Sequence, residues 1–282
     1  MTLLNVPLYA PINLIDAVDE TACGGKAVQL GAAIRAGLPV PPGFALTAGL
    51  VDAIAAQDPV AIDLALQAFA QLKGPVAVRS SAVGEDSSEA SFAGQHLTCL
   101  NICSPDSMVK AVQQVWQSGQ SAAAQSYRQR LGITQAPQVA VVVQRFIPAL
   151  QSGVLFTRNP ITGQDERVIE ASWGLGEAIV SGLVTPDHYR LTRQGLVLEQ
   201  TPGMKDIAVM PSTEGHTQEV EVEPHRIRAL CLEAWHLEQL NLLATQCEQY
   251  FQQALDMEWC FEGSTLYLLQ CRAITRIASP GV

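Results

Sequence analysis

Leu255-Asp256-Met257-Glu258-Trp259-Cys260-Phe261-Glu262-Gly263-Ser264-Thr265-Leu266-Tyr267-Leu268-Leu269-Gln270-Cys271-Arg272 is the stretch on which the reading of this chain depends. Two apolar runs flank Glu262-Gly263-Ser264, and a glycine between such runs signals a hairpin. Residues two apart on a strand point to the same face. A three-residue loop sets Phe261 opposite Thr265, Asp256 opposite Gln270 and Glu258 opposite Leu268. Two carboxylates, one amide oxygen and the Arg272 guanidinium then share a face. Oxygen donors of this kind suit Mg²⁺, and a guanidinium beside them suits a phosphate. The expectation is nucleotide chemistry. The alternative is an edge hairpin whose solvated face carries charge.

Composition narrows the choice. At 282 residues the chain makes one large domain or two small ones, and 48% hydrophobic content supports a substantial core. A formal net charge of −10 argues against general affinity for nucleic acid or anionic membranes. It leaves ATP open, because a nucleotide site needs only a few local cations. No apolar run approaches the roughly 20 residues of a membrane helix. Met1 to Glu20 has no basic region ahead of an apolar one, so no signal peptide is expected. Seven cysteines, an odd number without a C-x-x-C pair, point to a reduced, cytoplasmic chain. Cys260 and Cys271 are expected to be packing residues.

Helical and strand signals alternate without internal repeat. Residues 25–36 read as a helix ended by Gly37, and 60–72 as a second. Ser104-Pro105-Asp106 caps a long helix expected to reach about Leu131. Residues 76–79, 139–146, 153–157 and 167–171 read as strands, 174–181 as a short helix, and 224–254 as a long helix with a break. Residues 201–223 are the least determined. The class is α+β.

Three further segments carry chemistry. Gly24-Gly25-Lys26 at a helix mouth combines helix-terminal amides, close-approach glycines and a lysine, the makings of an anion site. It is not a P-loop, since Glu20 and Ala27 stand where that motif needs glycine and a hydroxyl residue. The alternative is a helix start with a solvated lysine. Arg79-Ser80-Ser81, with Glu85-Asp86 and Ser91-Phe92-Ala93-Gly94-Gln95 following, has the look of a phosphate-covering loop. Gln144-Arg145-Phe146-Ile147 ends an apolar strand, with Trp173-Gly174-Leu175-Gly176-Glu177 downstream, and a strand end of this kind can hold an adenine. The plainer readings are a polar surface loop and a core strand running into a loop.

Together these segments resemble one family. Gly24-Gly25-Lys26 through Pro41-Pro42-Gly43-Phe44 is similar to the opening of the ATP-binding domain of phosphoenolpyruvate synthase, pyruvate phosphate dikinase and rifampicin phosphotransferase. Val78 to Ser81, Ala90 to Gln95, Ser152 to Thr157, Gly174 to Glu177, Gly182 to Asp187, Asp256-x-Glu258 and Leu269-Gln270-x-Arg272 follow in family order. The resemblance spans about residues 21–275. It implies an ATP-grasp fold, two lobes clamping ATP between sheets, here a single nucleotide-binding domain over 1–282 with lobes of roughly 1–135 and 136–275.

The resemblance also implies roles. Lys26, Arg79 and Arg272 are the expected phosphate-binding, catalytic cations. Glu258 and Gln270 are the expected Mg²⁺ ligands, with Asp256 beside them. Gln144, Phe146 and Ile147 are expected around adenine, and Glu177 in the nucleotide site. Family members pass phosphate from ATP to a histidine on a separate swivelling domain. None of the five histidines here, His96, His188, His216, His225 and His236, has that acceptor context, so they are expected to be structural or solvated. The histidine and substrate domains are expected on another polypeptide or a missing segment. The alternatives are a stand-alone small-molecule kinase and a non-catalytic ATP sensor. Ala123 stands where the family commonly has arginine, and Ala273 where it often has proline.

Overall fold

The computed structural model describes residues 10–82, 97–121 and 138–274. The motif residues 83–96, Ala123 and the far end of the helix expected to reach Leu131 lie outside these. The chain divides into two compact units: residues 1–35, 41–146 and 213–216 form one, and 36–40, 147–212 and 217–282 the other.

The first unit is built on a five-stranded sheet. Its strands are β1 (Ile12–Asn13), β2 (Gly43–Leu46), β3 (Val76–Ala82), β4 (Thr98–Ile102) and β5 (Val139–Arg145), in the order β1-β2-β5-β3-β4. β3 pairs antiparallel with β5, setting Arg79 opposite Val142 and Ala77 opposite Gln144. Alternation then separates two faces. Val76, Val78, Val141, Val143, Phe44 and Leu46 pack into one core with α2 (Ala48–Ala55), α3 (Pro59–Gln71) and α4 (Pro105–Gly119). The starts of these helices are legible. Asp58 caps α3 ahead of Pro59, and Ser104 forms a capping box with Ser107 ahead of α4. Ala77, Arg79 and Ser81 alternate onto the other face, against which α1 (Glu20–Arg35) packs.

The second unit holds a six-stranded sheet in the order β13-β12-β6-β7-β8-β9. These are β6 (Gln151–Phe156), β7 (Arg167–Trp173), β8 (Asp187–Leu191), β9 (Val197–Thr201), β12 (Leu255–Glu262) and β13 (Thr265–Ala273). A short helix, α5 (Glu177–Val180), follows β7. The undetermined stretch is a separate hairpin of β10 (Ile207–Pro211) and β11 (Thr217–Glu221). The helix expected over 224–254 is two: α6 (Pro224–Ile227) and α7 (Ala234–Phe251).

α7 covers one face of this sheet. Arg167, fully buried on β7, donates to Asn241, Thr245 and Glu248, which are spaced along one side of α7. Phe261 meets the rings of Trp235 and His236. Leu255, Met257, Trp259 and Phe261 therefore face α7, all fully buried. At Gly153 an added Cβ would lie 1.9 Å from the Glu170 carbonyl and 2.7 Å from the Trp259 ring, so the indole needs glycine beneath it.

Candidate functional site

The hairpin of β12 and β13 carries the acidic pair, and its register differs from the expected one. The turn has two residues, Gly263 and Ser264, with Glu262 opposite Thr265 and Phe261 opposite Leu266. Gly263 has φ of 60°, which permits this tighter turn. Carried on unchanged, that register would put Gln270 opposite Met257 and Arg272 opposite Leu255, on the α7 face. A β-bulge prevents this. Trp259 pairs with Leu268 but Glu258 pairs with Gln270, so Leu269 is an extra residue on β13. Asp256 then pairs with Arg272. All four polar side chains lie on the face opposite α7. The expected pairings of Asp256 with Gln270 and of Glu258 with Leu268 are replaced, while the shared face remains.

On that face Arg272 grips Asp256. Its Nε and Nη2 lie 2.9 and 2.8 Å from Asp256 Oδ2. Burial pushes the Asp256 carboxyl above its ordinary range, Arg272 opposes this, and the Glu258 charge adds to the rise. Asp256 is thus an orienting partner for the guanidinium. Glu258 and Gln270, directly across from one another, offer a carboxylate and an amide oxygen. No cluster of three or more His, Cys, Asp or Glu suited to a metal occurs among the described residues. A metal here would rest on the Glu258 and Gln270 oxygens plus ligand atoms.

Elsewhere in this unit, Glu177 opens α5. Its Oε2 is buried without a hydrogen-bond partner among the described residues. Burial raises its pKa, opposed by Thr217. Trp173 donates from Nε1 to the Arg226 carbonyl at 3.2 Å, and the Arg226 guanidinium lies 4.0 Å from its ring centroid.

Lys26 and Arg79 both belong to the first unit, on α1 and β3. Lys26 is buried, and its Nζ donates to the Ser80 carbonyl at 2.8 Å. Arg79 is largely buried one residue before Ser80. The Ala27 amide donates to Ser81 Oγ at 3.0 Å, and Gly24 and Gly25 are buried. Gln144, also buried, donates from Nε2 to the Pro41 carbonyl at 2.9 Å. The Phe146 amide donates to the Pro75 carbonyl, and Phe146 and Ile147 are both buried.

Residues 60–280 match the family described as pyruvate phosphate dikinase, AMP/ATP-binding domain. The chain belongs to that family. A probable phosphoenolpyruvate synthase of Archaeoglobus fulgidus is 32% identical over 308 residues, covering 93% of this chain and 41% of that protein. The prodigiosin synthesizing transferase PigC of Serratia marcescens is 35% identical over 307 residues, 98% of this chain and 34% of that one. A rifampicin phosphotransferase of Bacillus cereus is 36% identical over 203 residues, 71% of this chain and 23% of that one. The chain thus spans under half the length of these relatives. The described residues combine helices and sheets in an α+β arrangement. No helix among the described residues is long and apolar enough to cross a membrane.

Two residues of the quoted motifs make contacts that the sequence did not signal. Asp187 ends the Gly182 to Asp187 motif, yet it works as an internal anchor. It forms a buried ion pair with Lys205, both side chains 0% exposed, and accepts from the amides of Gly203 and Cys231. Ser81 is the other, joined to α1 across 54 residues of sequence. Nothing local signals either contact. Among the histidines, His236 accepts the Glu233 amide at Nδ1 and stacks on Trp235, a structural role.

Proposed function

We propose that this chain binds Mg-ATP and catalyses phosphoryl transfer to a histidine carrier, on another polypeptide or another segment of a longer one. The observation that carries this reading is the bulge at Leu269. It sets Glu258 and Gln270 beside an Asp256–Arg272 pair in a chain of the dikinase AMP/ATP-binding family. An all-oxygen donor set fits Mg²⁺, which prefers carboxylate and amide oxygens and retains positions for water and phosphate. Glu258 and Gln270 would hold the ion, whose chemistry is to neutralise charge on the phosphate oxygens.

The chain's own residues supply position and charge, which provide most of the catalysis in phosphoryl transfer. Asp256 holds Arg272 by two N–H groups, fixing the plane of a guanidinium suited to phosphate. Lys26 and Arg79 are the phosphate-binding cations of the first unit. Gln144 to Ile147 border the adenine, where buried apolar side chains favour a base over water. Glu177, with a buried carboxylate oxygen lacking a partner among the described residues, is suited to a hydroxyl of the nucleotide. The odd number of cysteines, seven, supports a reducing, cytoplasmic setting.

Incubation with Mg²⁺ and ATP labelled at the β- or γ-phosphate, with and without the histidine domain of a relative, tests this. Label on the histidine of the added domain is the expected result. An unlabelled domain, with ATP bound but intact, would refute the transfer.

A further inference from the structure

Gly24 leaves the helical region in the middle of α1, with φ of 77° and ψ of 164°. Residues 25 to 35 therefore form a helix with its own N-terminus, whose cap position is a glycine without a side chain. An added Cβ there would lie 1.7 Å from the Ser81 carbonyl oxygen, so no capping residue can occupy the position. Ser81 supplies the cap from β3 instead. Its Oγ accepts from the Ala27 amide at 3.0 Å and donates to the Cys23 carbonyl at 2.7 Å. A hydroxyl has one proton to give and lone pairs to receive, so both bonds form at once. Ala27 is the third residue of this helix, the place where a cap oxygen normally binds. Lys26 precedes it, and the neighbouring Ser80 carbonyl holds its Nζ at 2.8 Å. Adjacent residues of β3 thus hold the Lys26 ammonium and the amide of the residue that follows it.

We propose that Ser81 is a positioning residue for Lys26, and through it sets affinity for the phosphates of the nucleotide. The inference rests on the reading that Lys26 contacts those phosphates. Without the Ser81 hydroxyl the first turn of this helix loses its cap, and Lys26 sits in that turn. Ser81 acts on the lysine, so its loss affects binding of the phosphates and leaves binding of the base alone.

Calorimetric titration of Mg-ATP and of adenosine into the wild type, Ser81→Ala, Ser81→Thr, Lys26→Ala and the double variant Ser81→Ala/Lys26→Ala tests this. Ser81→Ala should weaken ATP about five- to tenfold, as expected for one buried hydrogen-bonding group, and leave adenosine unchanged. Ser81→Thr, which keeps the hydroxyl, should recover most of the loss. In the Lys26→Ala background, Ser81→Ala should have no further effect, since the two act as a unit. Unchanged ATP affinity in Ser81→Ala, equal weakening of ATP and adenosine, or an effect fully additive with Lys26→Ala would overturn the positioning role alone. Lys26→Ala binding ATP as tightly as wild type would overturn the nucleotide-site reading and this inference with it. Melting curves of each variant, with titrations run below their midpoints, separate loss of fold from loss of position.

Discussion

Leu269 adds one residue to β13, and that residue decides which face Gln270 and Arg272 occupy. Period-two spacing made Asp256 with Glu258, and Gln270 with Arg272, legible as pairs. The bulge was not legible, because it compensates a turn one residue tighter than expected, and a strand's register is a property of two strands together. Glu258→Ala should lower Mg²⁺-dependent phosphotransfer by on the order of 10²–10³, the scale of losing one electrostatic stabiliser. Unimpaired turnover in that variant would remove Glu258 from the metal site. Arg272→Lys should fail to restore activity, since a lysine offers a point charge and cannot keep both N–H contacts that Asp256 receives. Steady-state rates close to wild type in Arg272→Lys would show that a bare positive charge suffices there.

At the scale of elements, those whose signals are local were readable. α3 and α4 begin at a cap followed by proline, and β5 is a run of valines between polar ends. Less was readable where distant contacts decide. β8 has polar residues at three of its five positions, Asp187, His188 and Arg190, and stands in the sheet because Lys205 neutralises Asp187 inside. Removing one partner of such a pair leaves a buried charge uncompensated. Asp187→Ala should cost about 3–5 kcal/mol, read as a lowered urea midpoint. A change near zero would show that the pair is dispensable. Glu166 offers a pH test of the same sheet. Arg190 grips both its oxygens at 3.1 and 2.8 Å and Asn159 adds a bond at 2.7 Å. The Arg190 hydrogen bonds hold its carboxyl below the usual range, with burial opposing. Its contribution is therefore present above the unfolded value of about 4.3 and is lost as pH falls through the lowered folded value. Glu166→Gln should be less stable at neutral pH and show a shallower decline of urea midpoint into acid. Parallel declines in the two proteins would exclude Glu166 as a source of the acid sensitivity.

For the whole molecule, sequence motifs in family order were enough to indicate the family, while the supporting contacts belong to the folded chain alone. Lys26 and Arg79 sit in one unit, and Asp256, Glu258, Gln270 and Arg272 in the other. With a net charge of −10 the overall field disfavours a polyanion, so under the proposed function affinity for ATP would come from such local cations and a divalent ion. Binding of Mg-ATP is thus the property on which the rest depends. The direct measurement is calorimetric titration of ATP into the full chain, with Mg²⁺ and again with Mg²⁺ chelated. Saturable one-site binding that needs Mg²⁺ and weakens in Glu258→Ala is the predicted result. Absence of binding heat under both conditions, or equal affinity with and without Mg²⁺, would contradict it.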